Sequence, residues 1–207
     1  MSNISNSVKI KLEKKIFQIY EKQKEKMNDS ILERINKGKT NGMPQMIGRR
    51  YGHFFQEIVQ TSFELTCKNV KISGIEFELK SIILDLISIH LKSAKITNVQ
   101  NILKLLDDDI APYIDMKIGL GDLQFSTSEN HMIIELKWRV HWNDSKTVKE
   151  HTMAGRRIKS QGSIPIMLVR RPKNENYSSL DRFEKNGWIV LTGDDCGNYI
   201  LKHTGFD

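Results

Sequence analysis

The sequence is poor in cysteine, and the two that it contains, Cys67 and Cys196, lie far apart without paired spacing. A disulfide framework and a cysteine-based zinc site both need such pairs, so the two thiols are expected to be reduced, as in a cytosolic protein. The chain also lacks a secretory h-region and any apolar run approaching about 18 residues. The sequence therefore predicts a cytoplasmic protein that does not enter a membrane.

Common phosphate-binding and hydrolase motifs are missing too. The chain has no GxxxxGK[ST] or GxGxxG loop, and the glycines within 118–121 are not followed by the helix that a phosphate loop requires. Its six histidines are scattered rather than clustered. A nucleophile elbow is not visible either. These absences disfavour nucleotide-binding folds, zinc sites and serine hydrolases.

What the sequence does contain is positive charge. The 207 residues carry a formal net charge of +7 and are 39% apolar, and the isoelectric point is near 9.3. The length and apolar fraction suit one compact domain with an appended element. The basic balance favours an anionic partner, although many soluble proteins are mildly basic.

Residues 1–47 are predicted to form a helical extension. Apolar side chains recur near helical period over 8–36, and a loop that contains Lys39 follows. The helix could dock on the rest of the chain, contact a second copy or touch DNA. Lys39 could lie along a phosphate backbone or in a plain linker.

A second helix is expected to begin at about Gly48. Arg49, at its start, could neutralise phosphates if this end of the helix faces a ligand. Glu57 lies among the apolar residues of the same helix. It is either a solvent-facing residue or a contributor to an acidic cluster.

The remaining chain, 48–207, alternates predicted strands and helices. Strands are expected at 72–79, 123–125, 131–142, 164–169 and 188–191, and helices at 98–106, 147–161, 178–186 and 195–203. The run at 164–169 is apolar throughout, which is typical of a central strand buried on both faces. This order predicts an α/β fold with a mixed central β-sheet flanked by helices on both faces, an αβα sandwich.

The stretch 121–142 holds the candidate site. Two apolar-alternating strands around the polar turn 126–130 fit a β-hairpin. Glu135 and Lys137 are two residues apart on the second strand, so they project from the same face. Asp122, at the start of the first strand, can come alongside that face when the ribbon twists. Two acids and a lysine would then converge, as in a metal and phosphate site.

The Glu-x-Lys triplet alone is weak evidence, since an acid-x-Lys pattern occurs five times in this lysine-rich chain. Only the triplet at Glu135 follows an apolar strand with an aspartate at hairpin distance and precedes a basic helix and a buried strand. Asp115 remains a rival to Asp122 as the first acid. The alternative is that these residues have no catalytic role and that Glu135 and Lys137 form an ordinary surface salt bridge.

This pattern resembles the PD-(D/E)XK nuclease superfamily, and within it most of all a Type II restriction endonuclease. The resemblance consists of an aspartate at a strand start, a turn, Glu-x-Lys on the next strand, a helix and a buried strand. It covers about 48–200, with its specific part confined to 121–170. Twelve residues separate Asp122 from Glu135, within the range that such hairpins use. The residue before Asp122 is Gly121 instead of proline, at a position that varies in the family.

The resemblance implies a prokaryotic, Mg²⁺-dependent DNA endonuclease in which Asp122, Glu135 and the carbonyl of Leu136 hold the metal. These hard oxygen ligands suit Mg²⁺, which polarises a phosphoryl oxygen and lowers the pKa of a bound water. Lys137 would orient the attacking water or stabilise charge in the transition state. Glu57 falls where the family's upstream helix commonly carries a glutamate, so it is a candidate for a second metal or a metal-bound water.

Site-specific cutting also requires base readout. The candidate DNA contacts are Arg139, His141, Asn143, Lys146, Arg156, Arg157, Lys39 and Arg49. Palindromic sites are usually cut by homodimers, so double-stranded DNA and a second copy of the chain are the expected partners. Two alternatives stay open: a structure-selective nuclease of the resolvase or repair kind, and a non-catalytic DNA-binding protein on the same fold.

Overall fold

The structure is a computed structural model that describes residues 4–39, 41–78, 117–140, 145–171 and 178–205. In these ranges the elements are α1 (Asn6–Asn36), α2 (Met43–Thr66), β1 (Val70–Lys71), β2 (Ile75–Glu78), β3 (Lys117–Leu120), β4 (Leu123–Ser126), β5 (His131–Lys137), α3 (Ser145–Ser160), β6 (Ile164–Val169), α4 (Ser178–Lys185), β7 (Ile189–Thr192) and α5 (Gly193–Thr204). The helix expected at 98–106 lies outside the described residues. None of the helices in these ranges has the length and apolar character to cross a membrane.

Five strands form a mixed sheet in the order β1–β4–β5–β6–β7. β4 pairs antiparallel with both β1 and β5, whereas β5, β6 and β7 run parallel. β2 and β3 form a separate antiparallel pair. The predicted hairpin is therefore the β4–β5 pair, and the prediction of an α/β fold with a mixed sheet is confirmed.

The sheet is covered on both faces, because side chains alternate along each strand. On β5, Ile133 packs in a core with apolar residues of α3 and α4. Its neighbours Met132 and Ile134 pack in a second core, which includes Phe63 of α2 and Cys196 of α5. Residues at odd-numbered positions of β5 thus face α3 and α4, while those at even-numbered positions face α2 and α5.

α1 lies against α2 rather than against the sheet. Leu12 and Gln23 are its buried residues, and Tyr20 packs edge-on against Phe54 of α2 with ring centroids 6.1 Å apart. α2 therefore has two packed sides, one towards the second core and one towards α1.

Several predicted boundaries differ from those in the structure. The second helix begins at Met43 rather than at Gly48, and Pro44 lies in its first turn, where the fixed φ of proline favours a helix start. The extension predicted for 1–47 therefore overlaps α2. The strand predicted to continue to residue 142 ends at Lys137, because Lys137 is opposite Val169, the last residue of the neighbouring β6.

Candidate active site

The candidate site lies where β4 begins and β5 ends. Leu123 of β4 is opposite Ile134 of β5, so Asp122 comes beside Glu135. The backbone N–H of Asp122 donates to the carbonyl of Ile134 at 2.7 Å, which extends the ladder by one bond beyond β4. The antiparallel register therefore brings the predicted first acid next to the predicted second acid.

Glu135 is a buried carboxylate, only 5% exposed. Because its position on β5 is odd-numbered, it faces α3, where His151 Nε2 lies 3.3 Å from its Oε1. The same Oε1 is ion-paired with Lys137 Nζ. Its Oε2 accepts a hydrogen bond from the backbone N–H of Gly121 at 2.8 Å. Both carboxylate oxygens thus have partners, which offsets the cost of burying a charge.

Gly121 is required by this arrangement. Its φ is +84°, in the left-handed region that favours glycine. A Cβ at this position would come 2.7 Å from Ile133 Cγ2. Proline, with φ near −65° and no N–H, could neither adopt this conformation nor donate to Glu135. The glycine that departs from the PD motif is therefore part of the site's hydrogen bonding.

Asp122 is held from two directions. Its Oδ2 accepts the backbone N–H of Leu136 at 2.6 Å, and its Oδ1 accepts the side-chain N–H of Gln56 at 2.7 Å. Gln60, one turn further along α2, donates to the Asp122 carbonyl at 2.7 Å. α2 thus fixes both the backbone and the side chain of Asp122.

The electrostatics separate the two acids. Burial and the nearby Glu135 carboxylate raise the pKa of Asp122 to about 6. Burial by itself would raise the pKa of Glu135 as well, but the hydrogen bond from His151 and the charge of Lys137 hold it low, at about 2. Burial opposes the charge of Lys137, yet the two carboxylates raise its pKa above the ordinary value. At neutral pH both carboxylates and the Lys137 ammonium are therefore charged.

The donor chemistry of the site fits Mg²⁺. Asp122 and Glu135 supply carboxylate oxygens, which are hard ligands. The N–H and C=O of one strand residue point to the same strand edge, so the Leu136 carbonyl lies on the side where its N–H meets Asp122. Burial and the neighbouring Glu135 carboxylate disfavour the charged form of Asp122, and a divalent cation would favour it. Across the described residues no group of three or more His, Cys, Asp or Glu side chains is placed to hold a metal. The candidate ligands here are therefore only two carboxylates, from Asp122 and Glu135, and the Leu136 carbonyl.

A groove of about 350 Å³ opens beside Lys137, between the first half of α2 and the end of β5. Two of the predicted DNA contacts, Arg49 and Arg139, line it together with His53 and Gln56. Arg49 and Arg139 are exposed, and with Lys137 they give the groove a cationic lining. The groove is suited to an anionic ligand and adjoins the acidic pair through Gln56 and Lys137, which contact Asp122 and Glu135.

The structure does not bring Glu57 to the two acids. Its Oε1 accepts a hydrogen bond from Lys22 of α1 at 3.0 Å. Burial by itself would raise the pKa of Glu57, but the hydrogen bonds from Lys22 and Gln23 and the charges of Lys22 and Lys26 together lower it. Adjacent helix residues point about 100° apart, so Gln56 reaches Asp122 while Glu57 faces α1. Gln56, and not Glu57, is therefore the residue at this turn of α2 that contacts the acidic pair.

The other predicted DNA contacts lie away from the groove or outside the described residues. Arg156 is exposed and Arg157 half-buried in the second half of α3. This half leads to the start of β6, which pairs with the start of β5, whereas Glu135 is near its end. Lys39 is exposed in the loop between α1 and α2. Lys146 is in the first turn of α3 with its side chain not described, and His141, Asn143 and the rival acid Asp115 lie outside the described residues.

Three residues of the site were missed by the sequence reasoning. His151, Gln56 and Gln60 contact the two acids, yet none of them belongs to a local motif. The four-residue spacing of the two glutamines places them on one face of a helix, which is a usable signal only once the neighbouring strand is known. His151 gave no signal, because it lies sixteen residues from Glu135 in the chain.

Comparisons of the chain with protein-family models, with curated proteins and with solved structures each find no match. Membership of the PD-(D/E)XK superfamily therefore stays a prediction, and the side chains and their geometry carry the functional argument.

The raised pKa of Asp122 leads to a prediction on stability. A pKa of about 6 in the folded protein, above the ordinary value, means that Asp122 favours folding while protonated and that this contribution is lost as the pH rises through 6. In metal-free protein, Asp122→Asn should therefore increase the free energy of unfolding at pH 8 by about 1–3 kcal/mol relative to wild type. The gain should shrink towards pH 4.

Urea unfolding in EDTA at a series of pH values measures this difference. Asp29→Asn, which neutralises an exposed aspartate of α1, is the matched control and should change stability little at any pH. A gain from Asp122→Asn that does not depend on pH, or a loss at pH 8, would contradict the electrostatic account.

Proposed function

We propose that the protein is a Mg²⁺-dependent endonuclease that cleaves double-stranded DNA, of the Type II restriction kind and acting as a homodimer. The observation that carries this proposal is the convergence of Asp122, Glu135 and Lys137 at one end of the sheet. Their order and strand positions are those of the nuclease superfamily that the sequence resembles. The cationic groove beside Lys137 supports DNA as the substrate.

In this proposal Asp122, Glu135 and the Leu136 carbonyl hold Mg²⁺. When bound, the metal supplies a Lewis acid for the phosphoryl oxygen and lowers the pKa of an attacking water. Hydrogen bonds from neighbouring residues fix the position of each carboxylate. Gly121 and His151 hold Glu135, and Gln56 holds Asp122, so the side-chain positions are set before a ligand arrives.

Lys137 supplies the positive charge next to the reacting phosphate. Its side chain is 26% exposed and lines the groove, so its ammonium reaches both Glu135 and a ligand in the groove. Negative charge grows on the scissile phosphate as water attacks, and a fixed cation stabilises that charge. Its raised pKa keeps Lys137 protonated at neutral pH, which favours an electrostatic role over that of a general base.

The groove would receive the DNA backbone. Arg49 and Arg139 stand on its two walls, one on α2 and one after β5, and arginine binds phosphate oxygens well. Trp138 forms part of the same wall, with Tyr51 stacked on it at 5.1 Å between ring centroids. This packing fixes the segment that carries Arg139. Base readout by His141 and Asn143 stays a prediction.

Cleavage of plasmid DNA tests the proposal. With Mg²⁺ the protein should give discrete fragments, and EDTA should abolish them. Glu135→Gln keeps the size of the side chain but removes its charge, so the cleavage rate should fall more than about 100-fold. Glu129→Gln, in the exposed turn of the same hairpin, is the matched control and should cut like wild type. Cutting confined to branched DNA would instead favour a resolvase, and binding without cleavage would contradict any nuclease.

Two neighbouring residues of α2 provide a sharper test of the geometry. Gln56→Ala removes the hydrogen bond that orients Asp122 and should lower the cleavage rate about 10- to 100-fold. Glu57→Gln, one residue along, disturbs contacts with α1 such as that with Lys22 and should leave the rate near that of wild type. Single-turnover rates at saturating protein measure this contrast. The reverse order of effects would restore Glu57 to the site and contradict the arrangement described here.

The groove can be tested by binding alone. In EDTA, where no cutting is expected, Arg49→Ala and Arg139→Ala should each weaken the binding of a short DNA duplex and make the salt dependence of log K shallower by about one unit. Arg156→Ala is the matched control, since this exposed arginine lies towards the other end of the sheet. Fluorescence anisotropy at several salt concentrations provides the measurement. Equal losses from all three variants would indicate diffuse charge attraction instead of a groove.

A further inference from the structure

α1 carries a second apolar stripe on the side that faces away from α2. Ile10, Phe17, Leu32 and Ile35 are between 54% and 64% exposed. With about 3.6 residues per turn, these four side chains fall within roughly 60° of one another and opposite the buried Leu12. We call this side the outer face of α1. Four large apolar side chains aligned on one exposed face are more than the scattered exposure of an ordinary surface.

A row of residues with the spacing of a coiled-coil seam runs along the outer face and contains three of these four side chains, while Leu32 lies beside it. Residues separated alternately by four and three positions run from one end of α1 to the other: Ile10, Lys14, Phe17, Glu21, Lys24, Asn28, Ile31 and Ile35. Heptad packing needs apolar residues at such positions, and Ile10, Phe17, Ile31 and Ile35 provide them at four of these eight. The two ends of the seam are mainly apolar, and its middle is polar. Such a seam needs a partner whose polar groups match its own.

We propose that the outer face of α1 pairs with the outer face of α1 in a second copy of the chain, in an antiparallel orientation. A twofold axis near the middle of the seam places Ile10 of one copy opposite Ile35 of the other, and each contact occurs twice. The same axis places Phe17 opposite Asn28 and Glu21 opposite Lys24. It also places Lys14 opposite Ile31, so every layer of the seam contains one residue from each copy.

Charge selects the antiparallel orientation. Parallel pairing would place Lys14, Glu21 and Lys24 each opposite its own copy, so every charged layer would contain like charges. Antiparallel pairing places Glu21 opposite Lys24 in two layers. Within one copy these two side chains already lie side by side, with Lys24 Nζ 3.7 Å from Glu21 Oε1, so both are available on the same face. Opposite charges across such a seam determine partner choice and orientation.

The inference extends the homodimer of the proposed function, but it stands on the outer face of α1 and not on the chemistry of the acidic site. A dimer that does not cut DNA would contradict the proposed function alone. A nuclease that stays monomeric would contradict this inference alone. The polar middle of the seam favours a reversible dimer, so its population should depend on protein concentration.

Sedimentation velocity of the full chain over a wide concentration range tests the dimer. The mass should rise from 24.0 kDa towards twice that value. Glu21→Lys and Lys24→Glu each place like charges in two layers, so each variant alone should raise the dimer dissociation constant at least about tenfold. An equal mixture of the two variants should recover the dimer, because every charged contact between unlike copies is then attractive. The mixture does not restore the Glu21–Lys24 ion pair within either copy, so recovery cannot arise from repaired helix stability.

Lys11→Glu is the matched control, since it reverses an exposed charge of α1 that is off the seam. It should leave the dissociation constant unchanged, and circular dichroism should show the same helix content for all variants. Phe17→Asp, which replaces a large apolar side chain of the seam with a charge, should also weaken the dimer. A wild-type monomer at every concentration, single variants that dimerise like wild type, or a mixture that stays monomeric would each overturn the proposal.

Discussion

The buried carboxylate of Glu135 is the constraint on which the rest of the site depends. A charge with 5% exposure is stable only when donors surround it, and here the donors come from three different parts of the chain. Gly121 reaches it from the turn before β4, Lys137 from the same strand and His151 from α3. Satisfying one carboxylate therefore fixes the relative positions of the hairpin and the helix behind it.

The second acid is held by a different layer of the molecule. Asp122 receives hydrogen bonds from the Leu136 backbone and from Gln56 of α2, on the face of the sheet opposite α3. Glu135 is thus held from the α3 side of the sheet and Asp122 from the α2 side. The two carboxylates come close to each other at the strand edge between these sides. Burial and the nearby Glu135 carboxylate raise the pKa of Asp122. A bound cation would offset both effects by stabilising the charged form of the carboxylate.

α2 links this site to the remainder of the chain. One side of the helix packs on the sheet and carries Gln56, and another side faces α1 and carries Glu57. The first half of the same helix lines the groove through Arg49. α1 contacts the domain through α2, so a second copy bound to its outer face would leave the groove uncovered on the far side of α2. The acidic pair, the groove and the outer face of α1 therefore lie on separate sides of two adjacent helices.

Local patterns in the sequence determined the fold class and the core of the candidate site. Alternating apolar residues specified the β4–β5 hairpin, and two-residue spacing put Glu135 and Lys137 on one face, because strand geometry depends only on neighbouring residues. Tertiary packing decided which residues support them. On α2 the residue that contacts Asp122 is Gln56, whereas the adjacent Glu57 contacts α1. The sequence does not specify this, because the rotation of a helix about its axis depends on what the helix packs against. His151 reached Glu135 only through the docking of α3, and no local pattern encodes such a contact.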